Sequence, residues 1–274
     1  MAETVRAALA RATTILSEKS DSARLDAELL MAHALGVDRG VMLLGWLDMA
    51  VPAGFDALVA RRGTYEPIAY ITGHRDFWTI SLDVGPGVLI PRPDSETLIE
   101  AAVTHFGRAG PARILDLGTG SGALLLAALA EWPKATGLGI DRSAAAVQAA
   151  LANAARLGLL GRTTIRQGDW GDGIDERFDL LLCNPPYIEG HAALPPDVAH
   201  FEPASALFAG PDGLDDYRRL APQVAGLLAP GGLAAVEIGA DQAEAVRALF
   251  ADAGLETSVR RDLAGRDRAI IVGA

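Results

Sequence analysis

The sequence predicts an α/β protein: a doubly wound, mostly parallel sheet of seven strands with helices on both faces, preceded by a small helical bundle. Three observations predict it. Beyond about Asp94, short apolar runs alternate with helical stretches over short connections, the pattern of successive strand-helix-strand units. Before about Gly73, apolar residues recur at helical spacing only. A chain of 274 residues with 50% hydrophobic content is long enough for one large core and one small one.

In chain order, "TVRAALARATTILSEK", "SARLDAELLMAHALG", "DRGVMLLGWL" and "PAGFDALVARRG" read as four helices, with "EPIAYITG" as a fifth. Ser22 and Asp38 suit N-caps, Pro52 a first helical turn, and Gly36 and Gly63 C-caps. The stretch "DFWTISLDVGPGVLIPRPDSE" alternates apolar residues about a Gly85-Pro86-Gly87 turn and reads as a β-hairpin linker. The expected organisation is therefore a helical domain over 1–74, a hairpin linker over 75–93 and the sheet domain over 94–274. The seven strands are "ARILDLG", "ATGLGID", "TTIRQGD", "RFDLLLCN", "LAAVEIG", "ETSVRRDL" and "DRAIIVGA". Their intervening helices are "GALLLAALAEW", "SAAAVQAALANAARLG", "DYRRLAPQVAGLLA" and "DQAEAVRALFADAG". In such a sheet the ligand crevice lies beyond the carboxyl ends of the strands.

Composition narrows the function. Twenty-four Lys and Arg stand against 35 Asp and Glu, a formal charge of -11, and that field argues against direct nucleic-acid binding. The alternative reading is that an acidic, Ala- and Arg-rich composition reflects the source organism and says nothing about partners. No stretch of 18 apolar residues is free of charge, and the first residues mix acids and bases, so a soluble, cytoplasmic protein with no membrane segment is expected. Cys183 is the single cysteine, and His33, His74, His105, His191 and His200 show no ligand spacing, so no metal is expected. A monomer is the default.

The first strand runs into "DLGTGSG", with Gly118, Thr119, Gly120, Ser121 and Gly122 as a loop whose backbone can approach a ligand before a helix begins. The spacing is G-x-G-x-G with no following lysine, which is neither a dinucleotide fingerprint nor a phosphate loop. Asp141 ends the second strand, where its carboxylate can accept from both hydroxyls of an unphosphorylated ribose. Asp169 and Trp170, after the third strand, offer an acceptor and an aromatic beside a base. Singly, each has a structural explanation: a tight turn, a helix cap, a core tryptophan. In this order the three resemble the class I S-adenosylmethionine-dependent methyltransferases, a Rossmann-like fold. That resemblance lays the glycine loop against the methionine moiety and Asp141 against the ribose.

The fourth strand ends in "NPPY", Asn184 to Tyr187. Two prolines make a stiff turn and leave carbonyl groups without local partners. The Asn184 side-chain oxygen and the Pro185 carbonyl can each accept one N–H of a planar amino group. Such a grip is what an amide or aromatic amine needs, because its delocalised lone pair is a poor nucleophile until both N–H bonds are oriented. Tyr187 would pack on the planar group.

The NPPY turn resembles two sets of enzymes equally, the N6-adenine DNA methyltransferases and the glutamine N5-methyltransferases of release factors. "EPIAYITGHRDFW" with "VLIPRPDSE", then "FEPASALFAGPDGLDDYRRL", then "EIGADQ" with "DLAGRDR" resemble the PrmC/HemK family across nearly the whole chain. The resemblance implies methylation of the glutamine in the Gly-Gly-Gln motif of class I peptide chain release factors, with S-adenosylhomocysteine as product and the helical domain engaging the protein substrate. It assigns Gly118 to Gly122, Asp141, Asp169 and Trp170 to the cofactor, and Asn184, Pro185, Pro186 and Tyr187 to the glutamine, with Asn184 bordering both. Asn184, Pro185 and Tyr187 are the expected catalytic residues. Arg92 and Glu96 in "PRPDSE" look like part of the wall over the cofactor, without a defined chemical role, and Glu237 reads either as a helper in the crevice or, the favoured reading, as a strand-end structural acid. Cys183 stands where the family often has serine. The alternatives are an adenine-N6 methyltransferase and a non-catalytic binding module.

Overall fold

The computed structural model describes residues 3–273, which form two compact units: residues up to His74 with Leu194–Phe201, and Arg75–Ala193 with Glu202 onward.

The first unit is helical: α1 (Val5–Leu16), α2 (Ala23–Leu35), α3 (Arg39–Gly45), α4 (Phe55–Gly63) and α5 (Ile68–Thr72). Thr4 caps α1 by accepting from Ala7 N–H, and Asp38 caps α3 by accepting from Gly40 and Val41. Gly36 ends α2 in the left-handed conformation, as its spacing predicts. Ser22 stands at the cap of α2 but gives its hydroxyl to Asp26, so the side chain caps nothing. Pro52 lies before α4, whose cap is Gly54, and Gly63 is the last helical residue with Thr64 as its cap. The core gathers Val5, Leu9, Leu16, Leu30, Met31, Met42 and Phe55 from successive helical turns. Asp26 and Arg62, both buried, form an ion pair of 2.7 Å at its edge.

The second unit opens with a separate two-stranded sheet of β1 (His74–Phe77) and β2 (Ile80–Asp83). The hairpin turn is Trp78-Thr79, with Trp78 at φ 54°, and the Gly85-Pro86-Gly87 sequence follows β2 instead of making the turn. Glu96 stabilises that turn by accepting from the Trp78 N–H at 2.9 Å. After "PRPDS" comes α6 (Glu96–Phe106), a helix the strand-helix reading passes over because it continues directly from the linker.

The main sheet follows: β3 (Arg113–Leu117), α7 (Ala123–Glu131), β4 (Thr136–Asp141), α8 (Ala144–Arg156), β5 (Thr163–Gln167) and β6 (Phe178–Cys183). The chain then passes through α9 (Pro196–Phe201), in a stretch read from sequence as loop, to α10 (Asp215–Leu227), β7 (Leu228–Glu237), α11 (Ala243–Asp252), β8 (Thr257–Arg261) and β9 (Asp267–Gly273). Strand order is β5-β4-β3-β6-β7-β9-β8, with β9 antiparallel to β7 and β8. The seven-stranded, mostly parallel sheet is the one the sequence predicts.

Burial on both faces explains why "LLLC" is a continuous apolar run. Leu180 and Leu182 of β6 pack on the face covered by α6, α7 and α8, while Leu181 and Cys183 pack on the face covered by α10 and α11. No helix among the described residues is long and apolar enough to cross a membrane.

A candidate methyl-transfer site at the strand ends

The strand order reverses between β3 and β6, and chains leaving adjacent strand ends in opposite directions open a crevice there. A cleft of about 1080 Å³, counted out to its open mouth, lies at this place. Gly118, Thr119, Gly120 and Ser121 of the glycine loop, Asp141, Asp169, Trp170, Asn184 and Pro186 all line it, as do Arg92 and Ser95. Pro185, Tyr187 and Gly122, which packs against Leu126 and Ala150, do not.

The loop after β3 turns on positive φ at Gly118, Gly120 and Gly122. A Cβ on Gly118 would stand 3.3 Å from the Trp170 ring, so the bare backbone is what leaves room between loop and ring. Asp116, completely buried, ties the loop to the next helix: its Oδ2 accepts from Thr119 Oγ1 at 2.7 Å and from Leu125 N–H at 3.3 Å. Its Oδ1 has no partner among the described residues. Burial pushes this carboxyl up to about 7, against the two hydrogen bonds that favour its ionised form.

Asp141 is not the helix cap; Ser143 is, accepting from Ala146 N–H. Asp141 Oδ2 accepts from Gly120 N–H at 2.9 Å and Oδ1 from Ser143 N–H at 2.8 Å. Each oxygen keeps a further lone pair, on an acid that lines the cleft. Trp170 is buried at φ 49°, packed among the core residues of the α10 and α11 face. Asp169 is half exposed and its Oδ2 pairs with Arg219 at 2.6 Å.

At the end of β6, Asn184 donates from Nδ2 to Ser95 Oγ at 3.1 Å. Among the described residues no hydrogen bond ends on its Oδ1. Gln242 clamps the turn, giving Nε2 to the Tyr187 carbonyl at 2.9 Å while its own oxygen accepts from Gly239 N–H. The Tyr187 hydroxyl lies 3.4 Å from Glu237 Oε1. Burial, and then Glu237, push the phenol up to about 12, so it stays protonated. Glu237 itself is buried and pushed up to about 7 by burial. Cys183 is buried, and burial drives its thiol well up, which makes it a packing residue and no nucleophile.

Arg92 has a partner 110 residues away, the buried Glu202, which also accepts from Ile90 N–H at 3.1 Å. Arg142 donates to the Ser205 carbonyl at 2.5 Å, and both residues line the cleft. Ser95, Gln242 and Arg142 are the site residues that sequence reasoning missed. Ser95 and Gln242 lie inside the quoted stretches "PRPDSE" and "EIGADQ", the one available signal, but nothing in the spacing says what they touch.

A parallel sheet with its cleft at the β3/β6 reversal, a glycine loop and an acid on the next strand defines a Rossmann-like methyltransferase domain. Residues 111–248 match the family model described as a methyltransferase domain, and residues 7–73 that of the PrmC N-terminal domain. The chain is 48% identical over 254 residues to a release factor glutamine methyltransferase of Rhodospirillum rubrum, covering 90% of this chain and 78% of the relative. It is 43% identical over 276 residues to one from Cereibacter sphaeroides, covering 98% and 96%. The chain belongs to the release factor glutamine methyltransferase family. A solved structure of a ribosomal protein L11 methylase from Lactobacillus delbrueckii subsp. bulgaricus shares the fold, with a TM-score of 0.51 at 21% identity over 69% of this chain and 83% of that one.

Proposed function

We propose that the chain methylates the side-chain amide nitrogen, N5, of the glutamine in the Gly-Gly-Gln motif of class I release factors, with S-adenosylmethionine as donor and S-adenosylhomocysteine as product. The observation that carries this reading is the Asn184 amide. Ser95 holds its nitrogen, so its oxygen is left as an acceptor in the cleft that the glycine loop lines.

The cleft fits the cofactor. Gly118 leaves beside Trp170 a space that a Cβ would fill, and Asp141 offers two carboxylate oxygens with lone pairs to spare. Gly118 to Gly122 would hold the methionine part, Asp141 the ribose, and Asp169 with Trp170 the base. When bound, the cofactor supplies an electrophilic methyl on a sulfonium.

The protein's own residues prepare the nucleophile. Asn184 Oδ1 and the Pro185 carbonyl accept the two amide N–H bonds of the glutamine, which turns the nitrogen lone pair toward the cofactor side of the cleft. Positive charge grows on that nitrogen as its bond to carbon forms, and the same two acceptors, fixed beforehand, stabilise it. Pro185 and Pro186 keep the turn from yielding, and the Gln242 clamp holds the Tyr187 backbone. No strong base is required, because the nitrogen is acidic only after transfer and its proton then passes to water. The helical unit would engage the release factor, and supporting this it carries apolar residues in solvent, Leu44 at 92% exposure and Val41 and Met49 at about half. The reading makes the protein a cytoplasmic monomer.

The test is transfer of labelled methyl from S-adenosylmethionine to a purified release factor, beside a factor whose Gly-Gly-Gln glutamine is changed and beside DNA. Label on the intact factor alone is expected. Label on DNA, or on the changed factor equally, overturns the reading.

A further inference from the structure

Tyr65, Trp78 and Trp170 take positive φ without being glycine, and of these only Trp170 lines the cleft. A left-handed backbone is strained in a residue with a bulky side chain, and it persists only where neighbouring contacts hold it. The ring it delivers stands against the glycine loop, since a Cβ on Gly118 would meet it at 3.3 Å. The polar contacts beside it come from one helix.

Arg219 and Gln223 of α10 are four residues apart and so share a helical face. That face grips the chain on both sides of Trp170. Arg219 Nη2 donates to Asp169 Oδ2 at 2.6 Å. Gln223 Oε1 accepts from the Gly171 N–H at 2.9 Å, and its Nε2 donates to Asp172 Oδ1 at 3.2 Å. The fit is close: a Cβ on Gly171 would come within 2.7 Å of Leu227 Cδ1 and 2.9 Å of Gln223 Oε1.

Asp169 lines the cleft, and with Oδ2 on Arg219 no hydrogen bond among the described residues ends on its Oδ1. An acceptor fixed in this way suits the exocyclic amine of adenine and repels a carbonyl oxygen in the same place. The side chains of Arg219 and Asp169 are 43% and 50% exposed, so their pairing adds little to stability. What it supplies is direction, because a half-exposed carboxylate without a partner turns to water.

We propose that Arg219 and Gln223 are positioning residues for the cofactor's base: Arg219 aims the Asp169 carboxylate that selects an amine, and Gln223 holds the strained turn that sets the Trp170 ring. This rests on the reading of Asp169 and Trp170 as the base site. It adds two residues that act through them, neither of which lines the cleft.

The experiment is calorimetry on the full-length protein with S-adenosylhomocysteine and with its inosine analogue, in which a carbonyl oxygen replaces the exocyclic amine. Unfolding temperatures are measured alongside. Wild type is expected to prefer the adenine ligand by on the order of 50-fold, the scale of one hydrogen bond to a charged group. Arg219→Met should reduce that preference to about fivefold or less with the unfolding temperature nearly unchanged, and Arg219→Lys, which keeps a cationic donor, should retain most of it. Gln223→Ala should weaken both ligands about fivefold and keep the preference, because the ring serves either base. Gln223→Glu keeps the acceptor for the Gly171 N–H and should bind both nearly as wild type does.

An unchanged preference in Arg219→Met overturns the proposal, and so does an equal loss for both ligands there, the mark of a merely structural residue. Unaltered affinities in Gln223→Ala overturn its second half; should that variant not fold, Arg219→Met still decides the first. If wild type binds the two ligands equally, Asp169 is no base acceptor, and that reading falls with the proposal. If it binds neither, the cofactor reading falls. No release factor is present, so neither result depends on the glutamine.

Discussion

The Asp141 carboxylate accepts the Gly120 amide proton at 2.9 Å, which joins the end of β4 to the loop leaving β3. Its other oxygen holds the Ser143 amide at 2.8 Å. The acid thus enters the cleft already oriented by two backbone donors, and it shapes the loop it faces.

Asp141→Asn should therefore weaken S-adenosylmethionine binding by more than one ribose contact. An amide keeps one acceptor and loses the charge, so loop and ribose compete for it. The expected loss is about 2 to 4 kcal/mol, roughly 30- to 1000-fold in Kd. Calorimetry checks it, and a loss below about threefold would remove Asp141 from the cofactor site.

Asn184→Ala removes the open acceptor but leaves the glycine loop and Asp141 untouched. Transfer should fall by on the order of 100-fold or more in kcat, the scale of one preorganised contact to developing charge. Affinity for S-adenosylmethionine should stay nearly intact. Single-turnover rates and cofactor binding, measured on the same preparation, separate the two; equal loss of both would refute the assigned role.

Asp116 predicts how stability depends on pH. Burial raises its carboxyl from 3.8 to about 7, so between those values the folded protein binds a proton that the unfolded chain releases. Its contribution is fully present below the unfolded value and is lost as pH rises through about 7, on the order of 3 to 4 kcal/mol. Asp116→Asn lacks this slope. Wild type should lose stability relative to the variant from about pH 4 to pH 7 in urea titrations, and parallel curves would show the carboxyl to be unperturbed.

Leu44, at 92% exposure on α3, tests the helical unit. Leu44→Asp should leave the fold and kcat as they are and raise KM for the release factor about tenfold, the effect of one contact residue worth over 1 kcal/mol. An unchanged KM would place the substrate elsewhere.

The sheet was legible because strands buried on both faces are written as unbroken apolar runs between helical patterns. "LLLC" and the alternation around it need no tertiary information. The hairpin turn was not legible, since Trp78 takes positive φ without glycine or asparagine and the nearby Gly85-Pro86-Gly87 is the louder turn signal. What holds Trp78 is the carboxylate of Glu96, 18 residues away. The strand-end residues of the cleft could be read in order, because each follows its own strand. Their supports could not. The pairs Arg92 with Glu202 and Tyr187 with Gln242 join distant parts of the chain, and Asp169 answers to Arg219 across 50 residues.

The path of the chain beyond the proline turn also bears on how such a protein can be inherited. After Ala193 it leaves the sheet unit, contributes Leu194–Phe201 to the helical unit, with Asp197 3.9 Å from Arg62, and returns at Glu202. A single break in the gene near codon 74 would therefore not yield two whole halves. One fragment would lack its last helix and the other would carry a helix with nothing to rest on. Recombination that exchanged the helical unit between relatives would have to cross three times, after His74, after Ala193 and after Phe201. A helical unit wired in this way travels with the sheet it is threaded through.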